Sequence, residues 1–340
     1  MENDNHSEDQ LSFSDVLAAL QDEKTPLAPR YLYRLSALEP ADLAALLPVW
    51  QQLSAARRVA VLEDLEMLAE SNTVMDFDSV NEMALTDEDA RVRVVAIRGL
   101  WATEQPALIG QLVQILQTDK DMDVRAQAAA GLGRFVYLGE VGEISAAAQQ
   151  EAEAALLEVL HGDEDPLIQR RALESMGFSS RPEVAELIEN AFDGGEEEWV
   201  SSALFAMGRS ADERWGPQVM HSLADPNMEI SREAAKAAGE LELSEARPGL
   251  FDLLQDEESE VRLAAAWALS QIGGNGIADA LEEMIERAED EDEIDLLESA
   301  IENLAFANEM DELNLLDFSP EDLEDFANPD AVDDEDPDQE

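Results

Sequence analysis

The chain is 340 residues long and carries 79 acidic against 21 basic residues, a formal net charge of −58, with 45% hydrophobic but only 5% aromatic residues. Such a charge repels nucleic acid and anionic membranes and attracts basic partners, and the absence of cysteine excludes disulfides, thiolate nucleophiles and Cys-ligated metals. The apolar fraction is dominated by Ala and Leu, which favours close-packed helices over strands.

The first ten residues, MENDNHSEDQ, are polar and acidic, unlike a signal peptide. They are expected to be a disordered N-terminus. No apolar stretch approaches the roughly 18–20 residues that a membrane span needs, so a soluble, cytoplasmic protein is expected. Residues 11–75 read as a helical N-terminal cap. Ser14 to Leu20 forms a short helix behind a Ser cap, and Arg30 to Leu38, Pro40 to Leu53 and Ala55 to Glu70 follow.

From residue 76 to 308 one pattern recurs: an acidic turn, an aliphatic anchor five residues on, often an Arg, then small residues and Leu. It stands as D-E-D-A-R-V-R-V-V-A from Asp87, D-K-D-M-D-V-R-A-Q-A-A from Asp119 and D-E-E-S-E-V-R-L-A-A-A from Asp256. Degenerate copies begin at Asp163 and Asp225, and weaker ones centre on Trp199 and Leu296. The anchors Val92, Val124, Ile168, Trp199, Ile230, Val261 and Leu296 are spaced 32, 44, 31, 31, 31 and 35 apart. The spacing of 44 marks an insertion, placed near Phe135 to Ser145, whose Phe135, Tyr137 and Leu138 extend one rim. Each unit reads as two helices. The second buries a stripe at i, i+4, i+8, as in Val261, Ala265 and Leu269. Gly133, Gly177, Gly208 and Gly239 are expected to end four of these helices.

This unit resembles a HEAT repeat, of the short variety also found in phycobilin lyase subunits, over roughly Phe77 to Asn308. The expected fold is all-α: a right-handed α-solenoid of about seven HEAT-like helix pairs, with the helical N-terminal cap and an acidic C-terminal tail. In that family the turn Asp and the Arg after the anchor form a ladder between neighbouring repeats. Asp87, Arg93, Asp119, Arg125, Asp256 and Arg262 match it, whereas Gln169, Val200, Ser231 and Leu297 interrupt the Arg position.

Residues 309–340 form the acidic tail. From Ala288 to Glu340 there are 23 acidic residues and no Lys or Arg. The last eleven, from Asp330, are expected to be disordered. Residues 313–326, where Leu and Phe alternate with Asp and Glu, read either as a short helix capping the solenoid or as a motif that folds onto a partner.

No catalytic, cofactor or metal site is expected. His6, His161 and His221 lack metal-ligand spacing. They also lack the His-Glu pairs that deoxyhypusine hydroxylase, a similar repeat fold, uses for iron. Asp119 to Asp123 has the alternating carboxylates of a calcium loop, but Val124 and Ala130 replace the required Gly and Glu. Gly273-Gly274-Asn275-Gly276 lacks the Lys-Ser/Thr of a phosphate loop.

On the second helices, i+6 and i+10 point away from a core built on the anchors. A sparse row of basic and aromatic residues occupies these and flanking positions: Arg98, Arg134, Arg171, Phe178, Phe205, Arg209, Lys236 and Trp267. Arg and aromatic side chains are the usual anchors of interfaces, so this ridge is the expected recognition surface, concave and facing a protein partner. Three functions remain open. The first is a non-catalytic scaffold or adaptor; the second, an acidic chaperone or sequestering factor for a basic protein; the third, a lyase-type or other enzyme subunit.

Overall fold

In the computed structural model, residues 11–288 and 290–315 are described, with side chains to residue 306. The expectations for residues 1–10, for residues 316–340 and for the side chains of 313–326 lie outside the described residues. Every described element is helical. The chain forms two compact units, Met1–Asp212 and Glu213–Glu340.

The first unit opens with α1 (Phe13–Gln21), α2 (Pro29–Tyr33), α3 (Pro40–Trp50) and α4 (Ala55–Ser71). Ser12 caps α1 in a reciprocal box with Asp15, which satisfies two of the orphan N–H groups of the first turn. Arg57, buried on α4, donates to the carbonyls of Ala19, Leu20 and Thr25. It thereby satisfies the C-terminal end of α1, where a cation is also favoured by the helix dipole. Four helix pairs follow: α5 (Asp78–Ala84) with α6 (Ala90–Arg98), α7 (Ala107–Thr118) with α8 (Met122–Glu140), α9 (Ala146–His161) with α10 (Pro166–Met176), and α11 (Pro182–Asp193) with α12 (Glu197–Arg209). Second helices stack on one another in the order α4, α6, α8, α10, α12.

The second unit holds three pairs: α13 (Gly216–Ser222) with α14 (Met228–Glu240), α15 (Arg247–Leu253) with α16 (Ser259–Ile272), and α17 (Ile277–Arg287) with α18 (Glu291–Leu315). Here α14 packs on α16 and α16 on α18. The acidic turns do what their chemistry dictates. Asp89, Asp121 and Asp165 accept hydrogen bonds from the first N–H groups of α6, α8 and α10, and Asn227 does so for α14. The calcium-like run at Asp119 is such a helix-starting turn.

The cores follow the repeat stripe. Val92 and Ala96; Val124, Ala128 and Leu132; and Ile168, Ala172 and Met176 are all essentially inaccessible in the first unit. Val261, Ala265 and Leu269 are so in the second. Each fully buried Leu or Val contributes roughly 1.5–3 kcal/mol of transfer free energy.

Several expectations need correction. The last repeat is anchored on Leu297, not Leu296. Leu296 is 55% exposed, while Leu297, Ala300 and Leu304 are buried at helical spacing. Trp199 is only half-buried, although Ala203 and Met207 in its stripe are fully buried. The insertion is no loop at its start. It lengthens α8 to 19 residues and α9 to 16, and it buries Phe135 and Leu138 in the core. Gly133, Gly208 and Gly239 lie inside helices and end none of them, whereas Gly177 does follow the last residue of α10. Two of the glycines allow close approach. A Cβ on Gly133 would lie 3.0 Å from the Cβ of Ser175, and one on Gly239 would lie 2.8 Å from the Cα of Ala268.

The ladder is real but differently wired. Arg93 clasps Asp119 of the next repeat through two hydrogen bonds of 2.8 Å and donates to the carbonyl of Asp87. Arg58, in the cap, pairs with Asp87 at 3.1 Å, so a rung reaches a helix that lacks the repeat signature. Arg125 takes Glu164 at 2.8 Å, and Arg262 takes Glu293 at 3.0 Å. The carboxylate of Asp256 forms no rung with Arg262. It accepts from the N–H of Glu258, and Arg262 binds the Asp256 carbonyl instead. Where Ser231 interrupts the pattern, the neighbouring Arg232 supplies a rung to Glu260.

Candidate protein-binding ridge

The candidate site of the first unit is carried by the second helices and the turns that follow them. Arg98 ends α6 and Trp101 stands in the next turn. Arg134 and Tyr137 sit on the long α8, Phe178 just beyond α10, and Phe205 and Arg209 on α12. These elements lie side by side because small residues, Ala128, Ala172 and Ala203 of the stripe and Gly133 beside it, let the second helices stack closely.

The rings and cations form one chain of contacts. The Arg209 guanidinium lies 4.0 Å from the Phe205 ring centre and 4.6 Å from that of Phe178. Phe178 meets Tyr137 at 5.3 Å with the planes tilted by 60°. Arg134 lies 5.7 Å from the Tyr137 ring centre. Cation–π contacts of this kind contribute about 0.5–1 kcal/mol at exposed sites. They hold the planar groups in fixed orientations at the surface.

Arg98, Trp101, Arg134, Tyr137, Phe178 and Arg209 line a groove of about 450 Å³, floored by Leu108, Leu112 and Gly131. Trp101 is 48% exposed, and Tyr137 is also exposed. Arg98 is paired with Glu66 of α4, whose carboxylate holds the guanidinium above its ordinary pKa. Arg134 donates Nη2 to Glu104 at 3.1 Å.

The remaining expected residues are elsewhere. Arg171 is tied to Glu174, which also accepts from Ser202 of α12 at 2.7 Å. It does not line the groove. Lys236 and Trp267 belong to the second unit. Lys236 Nζ lies 2.9 Å from Glu233, and Trp267 is 45% exposed. Of the eight residues, four therefore line the groove, Phe205 backs it through Arg209, and three lie outside it.

Two groove residues escaped the i+6 and i+10 positions. Trp101 stands at i+9 from Val92, beyond the end of the short α6, and Tyr137 at i+13 from Val124, on a turn that exists only because α8 is long. The signal that could have found them is aromatic scarcity itself, since a chain with five Trp and three Tyr places two of these eight at one spot.

Among the described residues, no group of three or more His, Asp or Glu is placed to hold a metal ion, and no helix is long and apolar enough to cross a membrane.

The sequence model of the HEAT-repeat family matches residues 79–147 and 216–305. Among curated proteins, the epoxyqueuosine reductase of Bacillus cereus is 35% identical over 77 residues, 22% of this chain and 20% of that protein. The Bacillus anthracis enzyme is 34% identical over 77 residues, with the same shares. The chain thus spans about a fifth of the length of the curated relatives it matches. Similar solved structures include the CpcE–CpcF complex of phycocyanin lyase from Nostoc sp. PCC7120. It has 19% identity and a TM-score of 0.45, over 67% of this chain and 94% of that one. Yeast importin-β has 13% identity and a TM-score of 0.46, over 86% of this chain and 46% of that one.

Proposed function

We propose, for a chain whose segments 79–147 and 216–305 are HEAT repeats, a non-catalytic role: a scaffold or adaptor that binds a protein partner on the ridge of its second helices. The observation that carries this reading is the run of stacked Arg, Phe and Tyr side chains that ends in the groove with half-exposed Trp101. Trp, Tyr and Arg are enriched among the few residues that carry most of the binding energy of interfaces. A monomer with no partner has no reason to concentrate them at its surface when only 5% of its residues are aromatic.

The test is site-specific photocrosslinking in cells of the native host. A photoreactive residue at Tyr137 is expected to capture a defined protein, and Trp101→Ala is expected to abolish that capture. The same probe at Gln111, exposed on the first helix α7, should not capture it. Equal capture from both positions would defeat the reading.

The second reading, an acidic chaperone for a basic protein, is supported by the net charge of −58. Charge-driven binding of that kind weakens steeply with salt, because exposed charges are screened beyond about 8 Å at physiological ionic strength. Contacts through partly buried rings are screened much less.

A further inference from the structure

The groove differs in sign from the chain that carries it. About a quarter of all residues are Asp or Glu, yet none of the residues lining the groove is acidic and three are Arg. We infer that it takes an acidic peptide segment of a partner protein: a bulky apolar side chain against the Leu108, Leu112 and Gly131 floor, beside a carboxylate that meets Arg134. The inference rests on the protein-binding reading and supplies the chemistry of the partner.

The ion pair of Arg134 leaves room for such a ligand, whereas Arg98 is already clasped by Glu66 through both Nε and Nη2 and only frames the groove. Glu104 is 65% exposed and bonds Nη2 of Arg134 through one oxygen. This is not the two-bond fork that a well-placed carboxylate makes with a guanidinium. The Glu104 side of the pair is open to water, so its exchange for a ligand carboxylate costs little. The aromatic wall selects for an apolar side chain beside that carboxylate. Trp101, Tyr137 and Phe178 give it rings whose exposed area is removed from water on binding.

The competing occupants fit less well. Single-stranded nucleic acid also uses Arg and aromatic platforms, but its dense phosphate charge meets the repulsion of a chain at −58. A peptide with two or three carboxylates meets far less, and at physiological salt that repulsion is cut off within about 8 Å. A basic segment would find no carboxylate lining the groove to receive it.

The experiment is fluorescence anisotropy with the full chain at physiological salt. The probe is a labelled short peptide in which Phe and Leu alternate with Asp and Glu. Its counterparts carry Ala for the apolar residues or Lys for the acidic ones, and a labelled single-stranded oligonucleotide completes the set. The acidic, apolar probe is expected to bind, and the Ala counterpart to bind at least roughly tenfold more weakly. Trp101→Ala and Arg134→Gln are each expected to weaken the probe by about tenfold or more. Gln111→Ala, on the first helix α7 and outside the groove, should leave it unchanged, and circular dichroism of the variants checks their fold. No binding of the acidic probe, binding insensitive to both groove variants, or preference for the oligonucleotide overturns the proposal. If the Lys counterpart alone binds and Trp101→Ala abolishes it, the partner chemistry falls while the ridge stands as the binding face. If the ridge crosslink also fails, both fall.

Discussion

Replacing Gly133 by Ala sets two physical effects against each other, and the structure decides which wins. Gly133 lies in the middle of α8. Helix propensity alone therefore makes Ala more stable there by roughly 1 kcal/mol. The new Cβ, however, would stand 2.9 Å from the Oγ of Ser175, 3.0 Å from its Cβ and 3.1 Å from its Cα, against optimal carbon contacts of about 3.5–4 Å. Overpacking of this kind costs about 1–3 kcal/mol. Pushing Ser175 away also breaks its 2.9 Å hydrogen bond to the Ala129 carbonyl, a further loss of about 0.5–1.5 kcal/mol. The net expectation is destabilisation of about 1–3 kcal/mol, expressed where α10 packs on α8. Urea unfolding followed by circular dichroism measures the total, and hydrogen exchange of the α8 and α10 amides locates it. Adding Ser175→Gly removes the side chain met by the new methyl group and should recover part of the loss. A Gly133→Ala protein as stable as the parent, or more stable, would refute close packing as the reason for glycine here.

Leu297→Ala should cost about 2–5 kcal/mol, and Leu296→Ala less than about 0.5 kcal/mol; thermal unfolding of the two variants tests the phase of the last repeat. Arg93→Met should destabilise by roughly 1–3 kcal/mol at neutral pH by breaking the clasp on Asp119. Burial pulls the Asp119 carboxyl upward, but the Arg93 guanidinium and the N–H groups of Asp121 and Lys120 outweigh it and hold the carboxyl below its ordinary range. A depressed carboxyl contributes stability above its unfolded value of about 3.9 and loses it as pH falls through the lower folded value. Urea midpoints of the parent and Arg93→Met should therefore differ at neutral pH and converge in acid. Capture of the ridge partner should persist between low and physiological salt, whereas capture by the acidic surface should collapse; salt-step elution separates the two.

The sequence carried the stack almost entire, because anchor, small residue and Leu at i, i+4, i+8 make one helical stripe wherever they recur. The seven pairs were legible for that reason, and the cap as the helical segment before them that lacks the stripe. Leu296 misled because the last copy is weak and two leucines stand side by side, although Asp292, five residues before Leu297, marks the right anchor. Gly133 misled because glycine after a buried Leu is also what a helix end looks like; only the neighbouring helix shows that the missing Cβ serves packing. Arg58 was invisible as a rung since its helix has no repeat signature, and its partner Asp87 is 29 positions away. Three ridge residues, Arg134, Phe178 and Arg209, assembled into a groove because i+10 is the same place on successive second helices, and Arg98 joined them from i+6. Trp101 and Tyr137 needed knowledge of where α6 stops and how far α8 runs.

The claim that protein binding occurs on the second-helix ridge is tested most directly by hydrogen exchange on the full chain, with and without the partner identified by crosslinking. Protection is expected around residues 97–101, 130–137, 178 and 205–209. Protection confined to the first helices α7, α9 and α11, with the ridge unchanged, would contradict it.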